Sequence, residues 1–148
     1  MANDHIKIGN TMKITGKCHC GDVVYHAEVD ETKVVSCHCS DCQVMSSGPF
    51  RSAVVSLPNA VTFTAAQPKE YVKTAESGNK RAQGFCANCG TTLYATSVGE
   101  GDKIYGLRLG AIEQRELLTP KAQIWCRSAA PWLKTLADIP AFETAIPK

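Results

Sequence analysis

The chain has 148 residues, with 16 lysines and arginines against 14 aspartates and glutamates, a formal charge of +2. That length supports one hydrophobic core, and that balance lacks the basic excess of a protein that grips nucleic acid. No apolar run approaches the ~18 residues of a membrane span, and Met1-Ala2-Asn3-Asp4-His5-Ile6-Lys7 has no signal-peptide core, so a cytoplasmic protein without nucleic-acid or membrane partners is expected.

Residues 1–13 show no clear periodicity and carry Gly9-Asn10; they are read as a flexible leader. A single domain is expected over residues 14–138. Within it, short β-type runs recur at Val23–Val29, Ser52–Leu57, Val61–Phe63, Tyr71–Thr74, Arg81–Phe85, Thr92–Thr96, Ile104–Leu109 and Ala122–Trp125. Turn signals such as Ser47-Gly48-Pro49, Leu57-Pro58-Asn59, Ser77-Gly78-Asn79 and Gly99-Glu100-Gly101-Asp102 separate them. Helix is expected only as short turns, at Cys39–Ser46 and from Pro131, where proline suits a first helical position. Residues 139–148 contain two prolines and are read as a C-terminal tail. The pattern is that of a mainly β protein built from short antiparallel strands.

Eight cysteines are about 5% of the chain, below the ~8–10% of a disulfide scaffold. In a reducing compartment such cysteines bind metals or do redox chemistry. Seven of them fall in Cys18-His19-Cys20-Gly21, Cys37-His38-Cys39-Ser40-Asp41-Cys42 and Cys86-Ala87-Asn88-Cys89-Gly90. In extended backbone, Cys18 and Cys20 project to one side, as do Cys37 and Cys39, with His19 and His38 opposite. Their separation of roughly 6.6 Å at Cα is the long edge of disulfide geometry and is easily bridged by zinc. The pair Cys86-x-x-Cys89 followed by Gly90 has the form of a knuckle, a tight turn aiming two thiolates at one point.

Seven ligands do not make two closed sites of four, so one site is expected to be open. Cys37, Cys39 and Cys42 can surround one ion locally and leave a fourth position for water or a thiol. Cys18, Cys20, Cys86 and Cys89 would then close a structural zinc site. The competing readings are buried reduced thiols, or a thioredoxin-like pair at Cys86 and Cys89, which lacks its βαβ context. Cys126 stands alone and is read as a small core residue. His5, His19, His26 and His38 are read as surface or satisfied core residues.

The three clusters, with Gly48-Pro49-Phe50, Phe85-Cys86-x-x-Cys89-Gly90-Thr91 and Ala130-Pro131-Trp132, resemble the glutathione-dependent formaldehyde-activating enzyme family, grouped with a centromere protein under the CENP-V/GFA name. The resemblance covers roughly residues 16–132. It implies a zinc-stabilised β-tent, a structural zinc on Cys18, Cys20, Cys86 and Cys89, and a second, labile or catalytic zinc on Cys37, Cys39 and Cys42. It also implies a carbon–sulfur lyase activity with glutathione as partner, adding it to formaldehyde to give S-hydroxymethylglutathione. Gln43-Val44 stands where family members often carry basic residues, so the resemblance does not extend to a glutathione anchor there.

Three thiolates around Zn²⁺ leave one labile position, where an entering thiol would lose its proton before attacking the aldehyde carbon. Tyr25, Tyr94, Arg51, Lys80 and Arg81 are candidate donors or carboxylate anchors, each competing with an ordinary reading as solvated charge or core-edge tyrosine. Two other functions stand beside the lyase. One is a non-catalytic zinc module or glutathione carrier. The other is a thiol redox enzyme of the methionine sulfoxide reductase type, for which Cys126 is the one cysteine outside the metal sets.

Overall fold

The structure, a computed structural model, describes residues 10–148, so the expected leader lies outside the described residues up to position 9. Its elements are β1 (Thr11–Lys17), β2 (Val24–Cys37), α1 (Ser40–Ser46), β3 (Arg51–Phe63), β4 (Lys69–Thr74), β5 (Lys80–Phe85), β6 (Thr92–Ser97), β7 (Gly106–Arg108) and β8 (Ala122–Ile124). Short 3-10 turns follow β7 and β8, the longest at Pro131–Asp138. The strands form one sheet in the order β1-β2-β3-β7-β6-β5-β4, antiparallel throughout, and β8 pairs parallel with the far end of β2 at Val35–Cys37. The architecture is mainly β, in a single domain.

Alternation explains β1 directly: Met12, Ile14 and Gly16 are buried, and the residues between them face outward or lie half-buried. On β2 the same period turns Tyr25, Ala27 and Val29 inward. These residues meet Val54 of β3, Leu93 and Tyr94 of β6 and Leu107 of β7 in one core, with Ile112 and Leu118 from the turns beyond. Two glycines are fixed by this packing. Gly16 lies opposite Tyr25 and Gly84 opposite Tyr94, and a Cβ at either would overlap the partner's ring.

The structure departs from the sequence reading in several places. The run predicted at Val23–Val29 continues to Cys37, because β3 resumes pairing at Val34 after a register shift beyond Val29, and β8 joins at Val35–Cys37. The turn expected at Leu57-Pro58-Asn59 is no strand break. β3 runs through it as a bulge, in which Ala27 opposes Val61 while Val29 opposes Ser56. Asn59 takes φ of 56°, and its amide exchanges hydrogen bonds with Asp102 and the Lys103 N–H. The run predicted at Ile104–Leu109 shortens to β7, and residues 11–13, read above as leader, begin β1.

Candidate metal centres

Two hairpin ends build the first thiol set. Cys18 follows β1 in a turn and not in extended backbone; its N–H bonds the Val23 carbonyl, and Gly21, at φ of 87°, closes the loop. Cys86 follows β5 in the same manner, with its N–H on the Thr91 carbonyl and Gly90 at φ of 79°. The two turns bring Cys18, Cys20, Cys86 and Cys89 together, all four Sγ atoms within 4.8 Å of one another.

Four sulfurs at ~2.3 Å around a tetrahedral ion lie ~3.8 Å apart. Here Cys18 and Cys20 are separated by 3.6 Å and Cys20 and Cys86 by 3.7 Å, a donor set that fits a four-coordinate ion such as zinc. Backbone N–H groups of Val23 and Cys89 donate to Cys18 and Cys86 Sγ. Thr91 joins the turns, its Oγ1 accepting from the His19 N–H at 3.0 Å and lying 3.2 Å from Cys89 Sγ. That hydroxyl, with backbone N–H groups, pulls the Cys89 thiol down to about 5, favouring the thiolate a metal takes.

The second set forms where β2 ends. Cys37 is its last residue, Cys39 caps α1 by accepting from the Cys42 N–H at 3.3 Å, and Cys42 lies in the first turn of that helix. The three Sγ atoms again lie within 4.8 Å of one another. Among the described residues, no fourth His, Cys, Asp or Glu joins them, so the set is open where the first is closed. Burial, reinforced by Cys39 and Cys42, pushes the Cys37 thiol up to about 12. Cys39 moves the other way: burial opposes it, but the Cys42 N–H, the neighbouring thiols and the Lys73 ammonium favour its thiolate.

Arginines flank this open set. Arg51 opposes Cys37 across the β2–β3 ladder and is only 6% exposed; its Nη2 donates to Cys42 Sγ at 3.5 Å and to Gln83 Oε1 at 3.4 Å. Arg108 Nη2 donates to the same Gln83 oxygen at 3.0 Å. Burial, with Arg51 and Arg81 nearby, lowers the Arg108 guanidinium to about 10, while Cys42 and Cys37 act in the opposite direction.

Of the donors named from the sequence, only Arg51 contacts a thiol. Tyr25 is core, Tyr94 donates to Glu70, and Lys80 is exposed at the start of β5. His38 is buried, its Nε2 2.8 Å from Gln123 Oε1 and its ring against Phe50. Cys126, read as a core residue, is in fact exposed, in a 3-10 turn outside both sets. Arg108 and Gln83 were not singled out by sequence reasoning. The available signal was the period-2 pattern placing Arg81 and Gln83 on one face of β5, and it gains meaning only once the strand order is known.

An uncharacterized lyase of Schizosaccharomyces pombe is 33% identical over 79 residues, covering 53% of this chain and 54% of that protein, so the match spans about half of that relative's length. A Rhodobacter sphaeroides protein of known crystal structure superposes with a TM-score of 0.55 at 20% identity, covering 76% of this chain and 99% of that one, a likeness of fold. The sequence profile described as glutathione-dependent formaldehyde-activating enzyme matches residues 13–128, the stretch that carries both thiol sets, and the chain belongs to that family.

Proposed function

We propose that the protein is a zinc-dependent carbon–sulfur lyase-type enzyme that joins glutathione, or a related thiol, to formaldehyde or a related aldehyde. The observation that carries this reading is the contrast between a closed set of four thiols and an open set of three beside a buried arginine. Family membership and the lyase name of the yeast relative support the reaction class.

Zinc bound at the open set would lower the pKa of a thiol entering its fourth position. The chain's own residues do the rest. Cys39 at the helix cap and Cys42 one turn on hold the thiolates in fixed positions, and the Arg51 N–H on Cys42 Sγ tempers the charge there. In the reaction a sulfur–carbon bond forms, the carbonyl π bond opens, and the proton given up by the thiol ends on the new hydroxyl oxygen. The Arg51 guanidinium, one hydrogen bond from Cys42 Sγ, sets a positive potential where negative charge develops on that oxygen.

Exchange NMR with isotope-labelled formaldehyde and glutathione tests the proposal. Zinc-loaded protein is expected to speed interconversion of free and S-hydroxymethyl glutathione, and Cys39→Ser to abolish that gain. Equal exchange rates with and without the protein would refute it. A methionine sulfoxide reductase-type reading requires Cys126, so a Cys126→Ser protein that exchanges at the wild-type rate separates the two.

A further inference from the structure

Register shows what surrounds the open thiols. Residues opposed in an antiparallel ladder share a face of the sheet. Cys37 opposes Arg51, Ala53 opposes Arg108, Ala95 opposes both Gly106 and Gln83, and Arg81 opposes Lys73. One face thus carries Cys37, Arg51, Arg108, Gln83, Arg81 and Lys73, and small residues, Ala53, Gly106 and Ala95, pave it between them. It is the face turned away from the hydrophobic core of Val54, Leu107 and Tyr94. The missing side-chain volume gives the long arginine stems room to lie across the strands.

The cations on this face are not matched by carboxylates. Lys73 has Asp41 at 2.7 Å, but among the described residues no Asp or Glu pairs with Arg51, Arg81 or Arg108. Arg51 and Arg108 share one neutral acceptor, Gln83, and the Nε of each is buried without a hydrogen-bond partner. A buried guanidinium with spare donors is costly unless something accepts from it. The thiolates balance part of this charge, yet a divalent ion on Cys37, Cys39 and Cys42 would leave them only a single net negative charge against three guanidiniums. Both arginines also line a cleft of about 310 Å³ with Ser46, Phe50, Ser52 and Thr91, the last of which closes the turn of the four-thiol set.

We propose that Arg51 and Arg108 form an anion subsite that reads a carboxylate on the thiol substrate, so that the enzyme selects anionic over neutral thiols. The thiol part rests on the function proposed above, and the carboxylate part rests on the arginines alone. Two planar forks against one carboxylate give charge-assisted hydrogen bonds that a neutral amide cannot match. Arg81 adds to the positive field at Arg108.

The test is calorimetry on zinc-loaded protein with 3-mercaptopropionate and its neutral amide, two thiols of the same length. The carboxylate is expected to bind about tenfold tighter or more. Arg108→Gln, chosen because Arg108 is less buried than Arg51, is expected to erase that preference, and Arg108→Lys to keep part of it. Zinc content is measured on each variant, so that a lost metal is not mistaken for a lost subsite. Equal binding of the two thiols to the wild type, or a preference that survives Arg108→Gln, would overturn the subsite and leave the thiol reading standing. Should neither thiol bind, S-methylglutathione, which keeps both carboxylates and cannot form a thiolate, decides. Binding that Arg108→Gln weakens supports the subsite while the thiol reading falls, and no binding overturns both.

Discussion

Cys37 ends a strand half-buried, and that position governs how the open set takes up metal. Its thiol, pushed up to about 12 by burial and by the neighbouring sulfurs, is protonated at neutral pH, so an ion must displace that proton. Metal affinity at this set is therefore expected to rise by about tenfold per pH unit for each proton displaced, increasing with pH and falling with acid. A chelator competition run between pH 6 and 8 measures the slope, and a flat line would show the thiols already deprotonated. Substitution separates the sets further. Cys86→Ser removes one of four ligands that tie two hairpins together and is expected to cost more than ~4 kcal/mol, the range of lost structural metals. Cys39→Ser is expected to keep the fold and lose the ion of the three-thiol set, as paired thermal melts and metal analyses would show. These sets of four and three were readable from spacing, because each knuckle is local. Arg108 was not readable, because only the pairing of β3 with β7 brings it near Cys42.

At the level of strands and turns, the β1–β2 and β5–β6 hairpins repeat one construction. Each ends in a cysteine turn closed by a left-handed glycine, and each has a glycine in one strand covered by a tyrosine from the next. The covering ring has no alternative place, so Gly16→Ala is expected to destabilise by about 1–3 kcal/mol through overpacking, read as a lowered denaturation midpoint at unchanged slope. Most strands were legible from β-branched runs and turn signals. The far half of β2 was not, since Asp30-Glu31-Thr32-Lys33 reads as a polar break. Pairing with β3 shifts register across that stretch and resumes at Val34–Cys37, where β3 on one side and β8 on the other satisfy the backbone. The bulge at Pro58-Asn59 misled for the opposite reason: its residues carry turn chemistry, and the turn is absorbed within a strand by Asp102 and Lys103 from another loop.

Across the whole molecule, the proposed reading assigns the four-thiol set to holding the fold and the three-thiol set to meeting a ligand. Graded chelation of zinc-loaded protein is expected to release one ion with little change in circular dichroism and the second together with loss of structure; simultaneous release and unfolding would argue against that division. The far end of the chain is also engaged. Gln43 Nε2 donates to the His38 carbonyl at 2.8 Å and to the Ser128 carbonyl at 2.9 Å, both hydrogens of one amide committed to segments far apart in sequence. The His38 N–H in turn donates to the Ile124 carbonyl. The cysteine helix and the stretch around Ser128 are thus fastened together, and a shift of the helix pulls on that stretch. Arg127, exposed and held by Glu76, sits one residue before the fastening. Tryptic cleavage after Arg127 then becomes a clock for the cysteine helix: whatever quiets the helix slows the cut, and Gln43→Ala, by undoing the clasp, hastens it.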